Sequence, residues 1–174
     1  MNNIFKKENF KKVFTISAIV NACFNLLLLV MYFSPMFKIL MFSKDLSFPE
    51  IFEASEHTSD GIENFAMIMN CVMIVLAVLS VASVFEPFMK KDFSKIRSMI
   101  LPIVSAVIYL AMIYIQTHPE GQAKDYISLN FNGVLYIIAG IAVIAASIFM
   151  MILIIMNRKN QQVICPLIKK VPVL

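Results

Sequence analysis

Four long apolar stretches constrain the fold of this chain more than any other feature. Each is close to the ~20 mostly apolar residues that an α-helix needs to cross the hydrocarbon core of a bilayer. Lipid offers no hydrogen-bond partner to backbone N–H and C=O groups, so each stretch is expected to be a helix. The predicted spans are residues 13–33, 62–85, 99–115 and 131–156.

Composition supports the same interpretation. Of the 174 residues, 60% are hydrophobic and only 15% are charged. A soluble domain of this length would expose too much apolar surface to water. The loops are short, so residues 1–174 are expected to form a single membrane domain. The predicted fold class is an all-α integral membrane protein, an antiparallel bundle of four transmembrane helices.

The positive charges predict which way the bundle faces. Twelve of the fifteen Lys and Arg residues lie in the N-terminal segment, in the loop 86–98 and in the tail 157–174. Cytoplasmic loops are enriched in Lys and Arg, so both termini are expected in the cytoplasm and the loop 34–61 outside. The predicted location is the plasma membrane. The net charge of +4 is explained by topology and anionic lipid, without nucleic acid.

The outer loop 34–61 is unusually apolar and contains a helix signal. Ser47-Phe-Pro-Glu50 fits a capping box with Pro in the first turn, which predicts a short amphipathic helix over roughly residues 48–57. The apolar residues of this loop are expected to lie at the outer interface of the membrane or to dock on the helix ends. The candidates for contact with a partner protein are Phe37, Phe42, Phe48, Ile51 and Phe52. In the tail, Pro166 opposes a continuous helix.

Four polar residues within the spans are candidates for a functional layer: Asn21, Asn25, Asn70 and Tyr109. A rise of ~1.5 Å per residue places Asn25, Asn70 and Tyr109 at similar depth, just outside the membrane midplane. One interpretation is hydrogen bonding between helices, which fixes their packing. The other is the lining of a hydrophilic pocket or narrow pore.

Small residues at heptad spacing mark the last span. Gly133, Gly140 and Ser147 form a stripe that predicts close contact with another helix, either within the chain or in another subunit.

One group of residues in the outer loops has ligand chemistry. Glu53 and His57 lie at helical spacing, and with His118 they could bind zinc or another divalent ion. A solvated acidic helix face explains the same residues. No metal site and no cofactor is therefore expected.

The spans lack central ionisable residues, which argues against some classes of membrane protein. No Asp, Glu, Lys, Arg or His lies in the middle of a span, and intramembrane ionisable groups mark proton relays and catalytic sites. The expected function is non-enzymatic, that of an accessory, scaffold or protective subunit of a larger envelope complex in contact with a membrane-protein partner. The alternative is a small oligomeric channel or uniporter for ions or a neutral solute. The Lys- and Ile-rich composition without Trp is typical of a bacterium with a low-GC genome.

Overall fold

A computed structural model describes residues 7–39, 44–56, 65–89, 96–118 and 127–168. Within these ranges the chain forms helices and three short strands. In chain order they are α1 (Lys7–Tyr32), β1 (Phe37–Ile39), β2 (Lys44–Leu46), α2 (Phe48–Glu56), α3 (Phe65–Met89), a 3-10 turn (Ile96–Met99), α4 (Ile100–Thr117), β3 (Ile127–Leu129) and α5 (Phe131–Ile168).

Four of these helices are long and apolar enough to cross a membrane, which confirms the predicted number of spans and the multi-pass architecture. The candidate spans are Asn9–Tyr32, Met67–Met89, Ile100–Thr117 and Phe131–Lys159. Several ends differ from the prediction by a few residues, and two of the C-terminal ends matter most for the fold. The span in α3 runs to Met89, and α5 stays helical to Ile168, where the sequence predicted a tail that Pro166 would interrupt. Pro166 lies in the last turn, where its missing N–H removes only one intrahelical hydrogen bond.

The four long helices follow one another around the bundle in chain order, α1, α3, α4 and α5. α1 packs along α3 and α5, and α4 packs along the same two helices, so α1 and α4 face each other across the diagonal. Two buried clusters divide the bundle along its axis. One cluster includes Phe10 and Phe14 from the start of α1 with Leu153 and Ile154 from late α5. The other includes Tyr32 from the end of α1 with Tyr136 from early α5. Neighbouring helices are therefore antiparallel.

The structure is mostly helical, consistent with the predicted all-α bundle, and three short strands close one end of it. They form an antiparallel sheet in the order β2-β1-β3. β1 follows α1 and β3 precedes α5, so the sheet joins two loops that are distant in sequence. Phe37 is paired with Leu46 on one side and with Leu129 on the other. We refer to this end as the sheet end. The other, where Lys11, Lys12, Arg158 and Lys159 lie, is the basic end.

The helix α2 packs on the sheet end. Its first residue follows Ser47, whose backbone N–H donates to the Glu50 carboxylate at 2.7 Å, a contact expected of a capping box. Phe48 is fully buried and Ile51 packs against the same cluster, whereas Glu53 is exposed. The helix therefore packs its apolar face on the bundle and keeps the acidic Glu53 on the exposed surface.

Candidate functional site

A chain of buried amides and hydroxyls crosses the interior of the bundle. The Ser80 hydroxyl donates to Asn25 Oδ1 at 2.6 Å, and Asn25 Nδ2 donates to Asn21 Oδ1 at 2.7 Å. Asn21 Nδ2 in turn donates to Ser147 Oγ at 2.6 Å. All four side chains are buried. We call this group, Ser80, Asn25, Asn21 and Ser147, the asparagine chain. It links α3, α1 and α5.

Helical spacing explains how α1 builds the centre of this chain. Asn21 and Asn25 lie four residues apart and so occupy one face, and Asn25 Nδ2 also donates to the Asn21 backbone carbonyl at 2.9 Å. The sequence singled out both residues. It missed Ser80, because α3 is apolar on all sides and its pattern does not reveal the interior face. The small residues Ala77 and Ser80, both buried, are the signal that could have identified that face.

A second polar group lies toward the sheet end, and we call it the tyrosine cluster: Tyr32, Tyr109, Tyr136 and Asn70. The Tyr32 hydroxyl donates to Asn70 Oδ1 at 2.9 Å. Tyr109 donates to the carbonyl of Met73 at 2.8 Å, and Tyr136 donates to the carbonyl of Tyr109 at 3.2 Å. The Tyr109 ring lies 6.1 Å from Tyr32 and 6.0 Å from Tyr136. The cluster therefore joins all four long helices.

Phe48 from α2 completes the tyrosine cluster at its outer side. Its ring stacks on Tyr32 at 5.3 Å with an interplanar angle of 16°, and it lies 5.9 Å from the ring of Tyr136. Phe37 from β1 meets Phe48 edge-on at 4.8 Å. Aromatic pairs in this distance range add ~0.5–1.5 kcal/mol each beyond area burial. The loop residues thus close the end of the bundle.

The predicted single polar layer is divided in the structure. Asn70 and Tyr109 belong together in the tyrosine cluster, whereas Asn25 is bonded to Ser80, ten residues further along α3 than Asn70. Ten residues of helix correspond to ~15 Å of rise, so Asn70 and Ser80 lie at clearly different heights along α3.

The small-residue stripe of α5 faces the interior of the same chain. A Cβ atom on Gly140 would lie 2.7 Å from Leu110 Cδ2 of α4, and one on Gly133 would lie 3.1 Å from the carbonyl oxygen of Met36. Ser147 is the end of the asparagine chain. The sequence left open whether this stripe contacts a helix of the same chain or of another subunit. The contacts of Gly133, Gly140 and Ser147 lie within the same chain.

The outer-loop candidates have different positions. Phe37 and Phe48 need a correction, because both are fully buried in this chain and have no surface to offer a partner. Ile51 is partly buried against the same cluster. Phe42 lies outside the described residues, as does the side chain of Phe52.

Only two of the three weak metal candidates lie within the part of the chain that the structure describes. His118 is exposed, stacks on Tyr114 at 4.4 Å and has Nδ1 3.1 Å from the Tyr114 carbonyl oxygen. Glu53 is exposed on α2, and His57 lies outside the described residues. No group of three potential ligands occurs in the described ranges.

The polar groups in the described part of the interior are uncharged and can only form neutral hydrogen bonds. Its buried polar side chains are Asn and Ser, with the three Tyr hydroxyls, and none of the buried side chains is charged. Amides donate and accept hydrogen bonds but do not titrate, so the asparagine chain supplies hydrogen bonds between helices and no ionisable group. Ser105 is the exception to full pairing: its hydroxyl is buried, with no hydrogen-bond partner among the described residues.

Comparison with known proteins finds no match to this chain among family models, curated protein sequences or solved structures.

Proposed function

We propose that this protein acts without catalysis, through contacts with another membrane protein, as an accessory, scaffold or protective subunit of a larger envelope complex. The observation that carries the proposal is the asparagine chain. Asn21 and Asn25 were the best candidates for lining a pocket or pore, and their amides are bonded to Ser147 and Ser80 on neighbouring helices. Polar groups used in this way strengthen helix packing and leave no donor set for a substrate.

The surfaces of the protein support the same function. The long helices expose large apolar side chains on their outer faces, such as Ile16 at 63% and Met67 at 66% exposure, where lipid or another membrane protein can cover them. At the sheet end, Lys38, Asp45 and Glu53 are exposed around the buried aromatic residues. A folded, charged end of this kind is suited to docking a partner.

The proposed orientation places the sheet end outside and the basic end in the cytoplasm of a bacterial cell, with both termini cytoplasmic. The excess of Lys and Arg in the segments at the basic end supports it. Single cysteines introduced at Lys38 and at Lys12, in a protein whose Cys23, Cys71 and Cys165 are replaced by Ser, test it by labelling in intact cells with a membrane-impermeant thiol reagent. Label at position 38 and none at position 12 is expected, and the reverse pattern would contradict the orientation.

The function is tested by gentle extraction from the native membrane, followed by measurement of the mass and composition of the particle. We expect a second membrane protein at fixed stoichiometry. The double variant Phe42→Ala/Phe52→Ala should release this partner without lowering the amount of the protein itself. Phe149→Ala is the matched control, because Phe149 is exposed on α5 beside the cluster of the basic end, away from the sheet end, and its loss should leave the complex intact.

The proposal would be overturned if the extracted wild-type protein were a monomer or were accompanied only by copies of itself. Solute flux into liposomes, altered by Asn70→Leu, would then favour the channel alternative.

A further inference from the structure

A second surface of the protein, unrelated to the sheet end, has the profile of a lipid site. Lys11, Lys12, Thr15 and Ile16 line an open groove on the outer face of α1 at the basic end. Its volume of about 610 Å³ falls within the range of ~300–1,000 Å³ that is usual for small-molecule sites. Lys11 pairs with Thr15, and Lys12 with Ile16, at a spacing of four residues, so the four side chains occupy neighbouring positions of one helix face.

The end of the groove nearest the start of α1 is cationic. Both lysines are exposed, and neither is in an ion pair among the side chains that the structure describes. Thr15 donates its hydroxyl to the backbone carbonyl of Lys11 at 2.8 Å, so the ammonium groups are the donors that remain for a ligand. α5 ends its span at the same end with the exposed Lys159, which adds to the positive potential.

The rest of the groove, further along α1 toward the middle of the span, is apolar. Ile16 is 63% exposed, and Ile19 and Val20, one turn deeper, are also exposed. The candidate span begins at Asn9, so the lysines lie within its first turn and Ile16 lies ~6 Å deeper than Lys12. Lysine side chains at this position extend their ammonium groups toward the headgroup region.

We propose that this groove binds an anionic phospholipid. The phosphate lies between the ammonium groups of Lys11 and Lys12, and an acyl chain follows Ile16, Ile19 and Val20. A soluble anion would make no use of the apolar wall, and a lipid without net charge would leave the two ammonium groups uncompensated. The site is independent of any partner protein, so it stands or fails separately from the proposed function.

The test is lipid binding to the purified full-length protein, measured by native mass spectrometry. Phosphatidylglycerol and phosphatidylcholine with identical acyl chains are added at equal concentration. The wild-type protein should retain phosphatidylglycerol in preference. In Lys11→Gln/Lys12→Gln, this preference should fall about thirtyfold at low salt, because each lysine contributes about five- to sixfold near an anionic headgroup.

Two matched variants make the result specific. Lys38→Gln removes an equally exposed lysine from the sheet end and should leave the preference unchanged. Lys11→Arg/Lys12→Arg keeps both charges and should retain it. The proposal is overturned if the double Gln variant keeps the wild-type preference, or if Lys38→Gln lowers it equally. Displacement of the lipid by millimolar glycerol phosphate would also overturn it, since the site would then recognise a soluble anion.

Discussion

The asparagine chain and the tyrosine cluster both hold helices together through polar groups, but they do so with different chemistry. In the asparagine chain, donors and acceptors are mostly side chains on different residues, so each bond depends on its neighbours. In the tyrosine cluster, Tyr109 and Tyr136 donate to backbone carbonyls that lie within helices and keep their helical partners. The first group is vulnerable to the loss of one amide, and the second to the loss of one ring.

This difference has an energetic basis. A buried donor or acceptor without a partner costs ~1–3 kcal/mol, whereas a hydrogen bond to a group that is already satisfied contributes less. Rings, by contrast, contribute through contact area and through the cavity that their removal leaves. Three substitutions separate the two cases, in decreasing order of expected effect.

Phe48→Ala should have the largest effect and should act on the tyrosine cluster alone. The substitution removes a fully buried ring that contacts Tyr32, Phe37 and Tyr136, and truncations of this kind cost ~3–5 kcal/mol. The free energy of unfolding in mild detergent measures it. Phe131→Ala, at a position 74% exposed, is the control and should change stability little. Equal losses in the two variants would mean that the packing of α2 on the bundle does not contribute to stability.

Asn25→Ala should have an intermediate effect, because it breaks the asparagine chain at its centre. The Ser80 hydroxyl loses its acceptor and Asn21 loses a donor, for an expected cost of ~1–3 kcal/mol. The double variant Asn25→Ala/Ser80→Ala should cost less than the sum of the single variants, because the orphaned hydroxyl is then gone. Ser83→Ala is the control, since the Ser83 hydroxyl donates to a carbonyl of its own helix. Strict additivity of the two single effects would show that the bond from Ser80 to Asn25 is not used.

Tyr136→Phe should have the smallest effect. It keeps the ring and removes one hydrogen bond of 3.2 Å to the Tyr109 carbonyl, so a loss below about 1 kcal/mol is expected in the same unfolding measurement. Tyr136→Ala, which removes the ring as well, provides the comparison and should approach the loss in Phe48→Ala. If Tyr136→Phe destabilises as much as Asn25→Ala, the hydroxyl groups rather than the rings dominate the tyrosine cluster.

The sequence predicted the parts of this fold that depend on local pattern. Hydropathy identified four spans, and spacing within α1 placed Asn21 and Asn25 on one face. The start of α2 after Ser47 also depends on neighbouring residues, namely the capping residues Ser47 and Glu50. Each of these inferences needs only neighbouring residues and the helical repeat.

The parts that were missed depend on contacts between distant segments. Strands of three residues carry no readable alternation, and β1 and β3 acquire their partners only when α1 and α5 lie side by side. The sequence left the apolar loop residues open between the membrane interface and the helix ends. Only the tertiary fold shows that Phe48 packs on Tyr32 and Tyr136 and that Phe37 packs on Phe48. The bond from Asn25 to Ser80 was equally hidden, since it depends on how α1 and α3 are set against each other.

The pairing of β1 with β3 has a mechanical consequence. α1 and α3 form one helical hairpin and α4 and α5 another, and the sheet ties the connecting loops of the two hairpins together through backbone hydrogen bonds. The side chain of Asn130 reinforces this link by donating to Asp45 at 3.0 Å and to the carbonyl of Pro35 at 3.1 Å. The chain already joins the two hairpins at the basic end, where α3 leads into α4, so the sheet provides a second connection at the opposite end. The hairpins are therefore held together at both ends, and they can separate at the sheet end only by breaking the hydrogen bonds between β1 and β3.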